Sequence, residues 1–173
     1  AAKDVDGISL APLAAVFTDA PDGFPPCTAA ACVAILEHYK VPIVGKHVVV
    51  IGRSLVVGKP VSMMLLRRNA SVTICHSRTE NLQEISRSAD IVICATGRAR
   101  AYGREYFRPG QTVLDVGINF DVHGKLCGDV DFDEVEPIVD AITPVPGGVG
   151  TVTTSVLVGH VVQAACKKAG GEC

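Results

Sequence analysis

Val49-Val50-Ile51-Gly52-Arg53-Ser54-Leu55-Val56-Val57-Gly58-Lys59-Pro60 reads as a buried strand that turns through glycine into a helix. A glycine at the end of a strand lets the backbone approach a pyrophosphate, and the helix N-terminus behind it offers N–H groups to the anion. Pro60, in the first turn, gives up no N–H that the helix needs. The three-glycine dinucleotide fingerprint is absent, so the stretch alone does not separate a phosphate turn from an ordinary strand-to-helix turn.

Outward from this stretch, short apolar runs recur at Val48–Ile51, Ser71–Cys75, Ile91–Cys94 and Thr112–Val116. They do not alternate with polar residues, which suits strands covered on both faces of a parallel sheet. Helical spacing lies between them, over Pro60–Asn69 and Asn81–Ser88. Strand and helix alternate, so the expected fold is α/β, a Rossmann-like doubly wound parallel sheet. Thr28–Tyr39 predicts a preceding helix with Thr28 as its N-cap, and Val152–Lys168 a long final one. Lys167 and Lys168 oppose the negative pole of that last helix, and Gly170 stops it. Residues 1–26 hold several prolines and no strong periodicity, and read as an interdomain segment; residues 27–173 form the dinucleotide-binding domain.

The chain has 173 residues, 48% of them hydrophobic and 20% charged, which fits one folded domain and not a disordered segment. A net charge of -2 gives no electrostatic case for nucleic acid or an anionic membrane. No apolar run approaches the ~20 residues that span a bilayer, and the expected location is cytoplasmic. Seven cysteines without a C-x-x-C pair predict reduced thiols and no metal site.

In NAD-specific folds an acid about 20 residues after the first glycine receives the ribose hydroxyls. Here the second strand ends in Cys75-His76-Ser77-Arg78-Thr79 with no acid at its tip. Ser77 and Arg78, with Arg53 in the preceding turn, suit a 2′-phosphate, so NADP is the predicted cofactor. A solvated strand end leading into a helix cap would use the same residues. Two further stretches mark ligand loops. Asp115-Val116-Gly117-Ile118-Asn119 ends a strand where a nicotinamide would lie, although a plain β-turn explains Gly and Asn nearly as well. Thr143-Pro144-Val145-Pro146-Gly147-Gly148-Val149-Gly150-Thr151 alternates stiff and permissive residues, as a loop against a flat ligand does.

Seven segments then stand in one order: K-D-V-D-G from Lys3, P-C-T from Pro26, G-R-S-x-x-V-G-K-P from Gly52, C-H-S-R-T from Cys75, D-V-G-I-N from Asp115, G-D-V-D-F from Gly128 and P-V-P-G-G-V-G from Pro144. Together they resemble the bifunctional methylenetetrahydrofolate dehydrogenase/methenyltetrahydrofolate cyclohydrolase family from Lys3 to Ala165. The resemblance implies oxidation of 5,10-methylenetetrahydrofolate to the methenyl cation with NADP, then hydrolysis to 10-formyltetrahydrofolate. It implies Gly52, Arg53 and Ser54 on the cofactor phosphates, Arg53 and Ser77 on the 2′-phosphate with Arg78 beside them, and Ile118 against the cofactor. Asp6 would bind the pteridine, and Pro146, Gly147, Gly148, Val149 and Gly150 would border the folate.

The family's cyclohydrolase lysine belongs to a Tyr-x-x-x-Lys motif on an N-terminal substrate domain. That domain is absent from these residues, and Lys40, Lys46, Lys59 and Lys125 offer no convincing substitute. The chain is therefore expected to carry no catalytic residue, to bind dinucleotide and to be inactive alone. A homodimer through this domain is the expected assembly. Ala29 and Thr151 stand where the family commonly has proline, and Ile8-Ser9-Leu10-Ala11-Pro12 lacks its usual asparagine, which bears on the folate loop more than on the cofactor. The rivals are an NAD-preferring homologue, a non-catalytic interaction module, and a dehydrogenase of shikimate or glutamate type, which lacks P-V-P-G-G-V-G.

Overall fold

The computed structural model describes residues 3–21 and 23–170. Five strands, β1 (His47–Ile51), β2 (Ser71–Cys75), β3 (Ile91–Cys94), β4 (Thr112–Asp115) and a fifth, β7 (Ala141–Ile142), form one sheet in the order β2-β1-β3-β4-β7, every pair parallel. The intervening β5 (Asn119–Phe120) and β6 (Leu126–Cys127) make a separate antiparallel hairpin. The apolar runs are continuous because the pleat sends alternate residues to two cores. Val48, Val50, Ile91, Ile93 and Leu114 enter one; Val49, Ile51, Val92, Cys94 and Val113 enter the other.

Helices α2 (Cys27–His38), α3 (Gly58–Leu66) and the N-terminal turn of α6 (Val149–Ala169) cover the first core. Helix α4 (Leu82–Ser88), Tyr102, Phe107 and the short α5 (Phe132–Val135) cover the second. The chain runs outward from β1 through α3 to β2, then returns across to β3. The two directions part between β1 and β3, which places the ligand crevice of a doubly wound sheet beyond their carboxyl ends.

Several sequence expectations change. Residues 3–26 are not featureless: α1 (Leu10–Thr18) packs on α3, with Pro12 in its first turn, where a proline costs no helical bond. Helix α2 begins at Cys27 with Pro26 as its N-cap and no side-chain cap, so Thr28 lies inside the helix. Helix α6 starts earlier than predicted and reaches 21 residues, long and apolar enough by length and composition to cross a membrane, against the expectation that no segment is. Its first turns are instead anchored in the domain by Val149, Val152 and Val156. Gly170 takes the left-handed conformation (φ 73°) that ends it, as expected. Cys27, Cys32, Cys75, Cys94 and Cys127 are buried free thiols. Cys166 is disulfide-bonded, which corrects the expectation of reduced thiols throughout.

Candidate dinucleotide site

Gly52 leaves β1 with φ 139°, a conformation that side chains resist, and a methyl group there would strike the carbonyl oxygen of Ala95 beyond β3. A methyl group on Gly58 would strike the carbonyl of Gly52. The turn is thus packed backbone against backbone at the switch point, and only glycine fits.

The first turn of α3 differs from the expected open N-terminus. The Ser54 hydroxyl oxygen accepts from the N–H groups of Val57 (3.0 Å) and Gly58 (3.4 Å), the Ser54 carbonyl accepts from Lys59 (3.0 Å), and Pro60 has no N–H. Ser54 therefore caps the helix, keeping its own O–H free to donate. The N–H groups of Arg53, Ser54, Leu55 and Val56 in the exposed loop make no hydrogen bond among the described residues, and these are the backbone donors open to a phosphate.

Ile51 pairs with Cys75 in the ladder, so Arg53 and Ser77 each lie two residues beyond the ends of neighbouring strands, which run about 4.8 Å apart. Arg53, Ser77 and Arg78 are exposed, and neither guanidinium enters an ion pair among the described residues. Thr79 is occupied: its hydroxyl accepts from His76 N–H (2.9 Å) and closes the turn. The tip presents one hydroxyl and two cations.

Ile118 is 67% exposed although apolar, and its Cδ1 lies 3.8 Å from the Cβ position of Gly150. The two line one cavity of about 170 Å³ with Gly117, Pro146, Gly147 and Gly148. The Val145–Pro146 peptide is cis. Val149 departs from its neighbours, because its side chain is buried in the first core.

Asp6 does not join that cavity. The Asp4 carboxylate accepts from Gly7 (2.9 Å) and Ser9 (2.8 Å), folding K-D-V-D-G into a turn that leaves Asp6 exposed. The turn meets α6 at His160, whose Nδ1 is 2.9 Å from the Val5 carbonyl and 3.4 Å from Cys27 Sγ. That is roughly 15 Å along the helix from Gly150, at about 1.5 Å per residue. Burial first, then the neighbouring Asp6 and Asp4, push the Cys27 thiol up to about 12, so it is no nucleophile. Of the lysines, Lys46 pairs with Asp90 (3.7 Å), Lys40 and Lys59 are exposed, and Lys125 borders a cavity with Pro144 to Pro146.

Two buried carboxylates at the crevice were not anticipated. Asp115, the last residue of β4, accepts from Gly117 (3.0 Å), Asp129 (2.9 Å) and Val130 (2.9 Å). Desolvation raises its pKa to about 6 against these bonds, with Asp129 adding repulsion. Asp129 in turn accepts from Thr96, Gly97, Arg98 and Asn119. Methyl groups on Gly117 and Gly128 would strike the carboxylates of Asp129 and Asp115. The glycines of D-V-G-I-N and G-D-V-D-F thus make room for two acids.

The sequence model of the tetrahydrofolate dehydrogenase/cyclohydrolase NAD(P)-binding domain matches residues 26–169. The chain belongs to this family. It is 60% identical over 164 residues to the bifunctional protein FolD of Carboxydothermus hydrogenoformans. The bifunctional FolD methylenetetrahydrofolate dehydrogenase/cyclohydrolase of Campylobacter jejuni superposes with a TM-score of 0.93 at 39% identity over 96% of this chain. The Trypanosoma brucei FolD, solved with NADP and an inhibitor, superposes with a TM-score of 0.90 at 36% identity over 97%. The chain spans 57%, 59% and 60% of the lengths of these three relatives, and 94% of its own length aligns with the first.

Proposed function

We propose that this chain is the NADP-binding domain of an enzyme that oxidises 5,10-methylenetetrahydrofolate to 5,10-methenyltetrahydrofolate and hydrolyses that product to 10-formyltetrahydrofolate. The carrying observation is the paired tip: Arg53 and Ser77 lie at matched positions beyond β1 and β2, with Arg78 adjacent, and neither Arg53 nor Arg78 is paired with an acid among the described residues. Such a tip favours a 2′-phosphate and offers no carboxylate to ribose hydroxyls. The glycine turn and the loop N–H groups fit a pyrophosphate, and the exposed Ile118 fits the flat face of a nicotinamide.

Held by Arg53, Ser77 and the loop N–H groups, NADP would supply the hydride acceptor for the methylene carbon, whose adjacent folate nitrogen lone pair would stabilise the resulting methenyl cation. No proton is released in that step, so the domain supplies orientation and water exclusion and needs no base. Pro146 to Gly148 and Gly150 border the folate, and the exposed carboxylate of Asp6, which lies outside that cavity, is the group that would receive the aminopyrimidinone edge. Hydrolysis adds water to the cation and releases a proton, and none of the lysines among the described residues is placed to take it. The exposed apolar residues Leu66 and Ile74, beside the free edge of β2, support pairing of two copies.

Calorimetric titration with NADP and with NAD, at one ionic strength, tests the reading. NADP is expected to bind more tightly, and Arg53→Ala to cost NADP about 10- to 100-fold, from a charge-assisted hydrogen bond of about 1.5–3 kcal/mol, while leaving NAD within about twofold. Equal affinity for the two would remove the 2′-phosphate assignment, and tighter binding of NAD would move the reading to an NAD-preferring relative. Binding of neither would leave an interaction module.

A further inference from the structure

Asp129 is completely buried, and no step above uses it. Its Oδ2 accepts from the backbone N–H and the hydroxyl of Thr96 (3.0 Å for the hydroxyl) and from Gly97 N–H (3.1 Å). Its Oδ1 accepts from Arg98 N–H (2.9 Å) and the Asn119 amide (2.9 Å). Five donors therefore converge on one carboxylate. They come from two segments distant in sequence, the loop after β3 and the start of β5 just beyond β4, and a carboxylate offers them about four lone-pair sites where an amide oxygen offers about two.

The position of these loops gives the arrangement its meaning. The first loop begins at Ala95, whose carbonyl is packed against Gly52 at the switch point. The second includes Ile118, the exposed apolar residue that faces the glycine loop. Asp129 is itself held to β4, because Asp115 accepts its N–H and that of Val130. A chain of bonds thus runs from the sheet through Asp115 to Asp129, and from Asp129 to both loops.

We propose that Asp129 is a positioning residue for the nicotinamide half of the dinucleotide, a role that rests on the NADP reading above. It fixes the spacing between the loop at Thr96–Arg98 and Ile118, and so the width of the slot that the nicotinamide enters. The adenine end, assigned to Arg53 and Ser77, lies beyond β1 and β2, and neither residue is hydrogen-bonded to Asp129.

The test compares the whole chain and its Asp129→Asn variant in binding NADPH and 2′,5′-ADP, which carries the adenine end alone. Titration calorimetry gives both affinities, and the fluorescence of reduced nicotinamide reports its immobilisation. The variant is expected to bind 2′,5′-ADP within twofold of the parent, to bind NADPH about tenfold or more weakly, and to lose the fluorescence enhancement. A parallel fall for both ligands, or no change in either, overturns the proposal. Asn119→Ala, which removes one donor and leaves the acid, should shift NADPH in the same direction by less, and it decides the matter if Asp129→Asn does not fold. If the parent binds neither ligand, the dinucleotide reading itself has failed. If the parent binds both and the variant matches it, only the positioning role has failed.

Discussion

Replacing Asp115 by asparagine should change how the stability of the fold depends on pH. Burial raises the Asp115 carboxyl from 3.8 to about 6 in the folded state. Folding therefore takes up a proton, and the associated stability is complete below about pH 4 and lost as pH rises through about 6. A rise of about two pH units corresponds to about 3 kcal/mol. Asparagine does not titrate, but it presents an amide donor to one of the N–H groups that now point at the carboxylate, a pH-independent cost of about 1–3 kcal/mol. Urea unfolding of both proteins across about pH 4–7 should show the parent more stable at the acid end, and the gap narrowing by up to about 3 kcal/mol toward neutrality. Asp4 and Asp121, whose hydrogen bonds lower their pKa values, work in the opposite sense at acid pH, but they are present in both proteins and cancel. Parallel curves would refute the reasoning, since they would mean that Asp115 titrates alike folded and unfolded.

Two other perturbations have definite signs. Gly128→Ala drives a methyl group into the Asp115 carboxylate and should cost more than about 2 kcal/mol, whereas Gly159→Ala, where α6 leaves open space, should add about 0.5–1 kcal/mol; thermal melts rank the two. Cys27, buried and with its thiol pushed up to about 12, should resist iodoacetamide in the folded protein and react on unfolding, as mass spectrometry would show.

The four long strands were legible because each is a continuous apolar run, and a strand covered on both faces requires that. β5, β6 and β7 were not, since two residues carry no periodicity. The prolines of residues 1–26 hid helix α1 inside the segment read as interdomain, because Pro12 stands where a helix tolerates it. At the site, the glycine turn and the Ser77-Arg78 tip could be read locally. Ser54 could not: the phosphate role proposed for it rests on the family resemblance of its motif, while its bonds to Val57 and Gly58 depend on the turn closing. Asp129 was quoted only as part of a motif. Its burial and its five donors arise from residues 10 to 33 positions away, brought together by the sheet.

The contact between Gly52 and Ala95 has a bearing on folding. The turn is closed by its own bonds to Ser54 and by the Gly52 N–H to Cys75, but the backbone packing of Gly52 against Ala95 is made only once β3 has joined β1. Competence to bind the dinucleotide therefore arrives only after the crossover returns and β3 docks against β1. Ligand then engages the native state and no earlier intermediate, and at a concentration 100 times its dissociation constant it would deepen the native well by about 2.7 kcal/mol. The cofactor would act as a selective reporter of that step, drawing the equilibrium toward species in which β3 has joined β1 and β2.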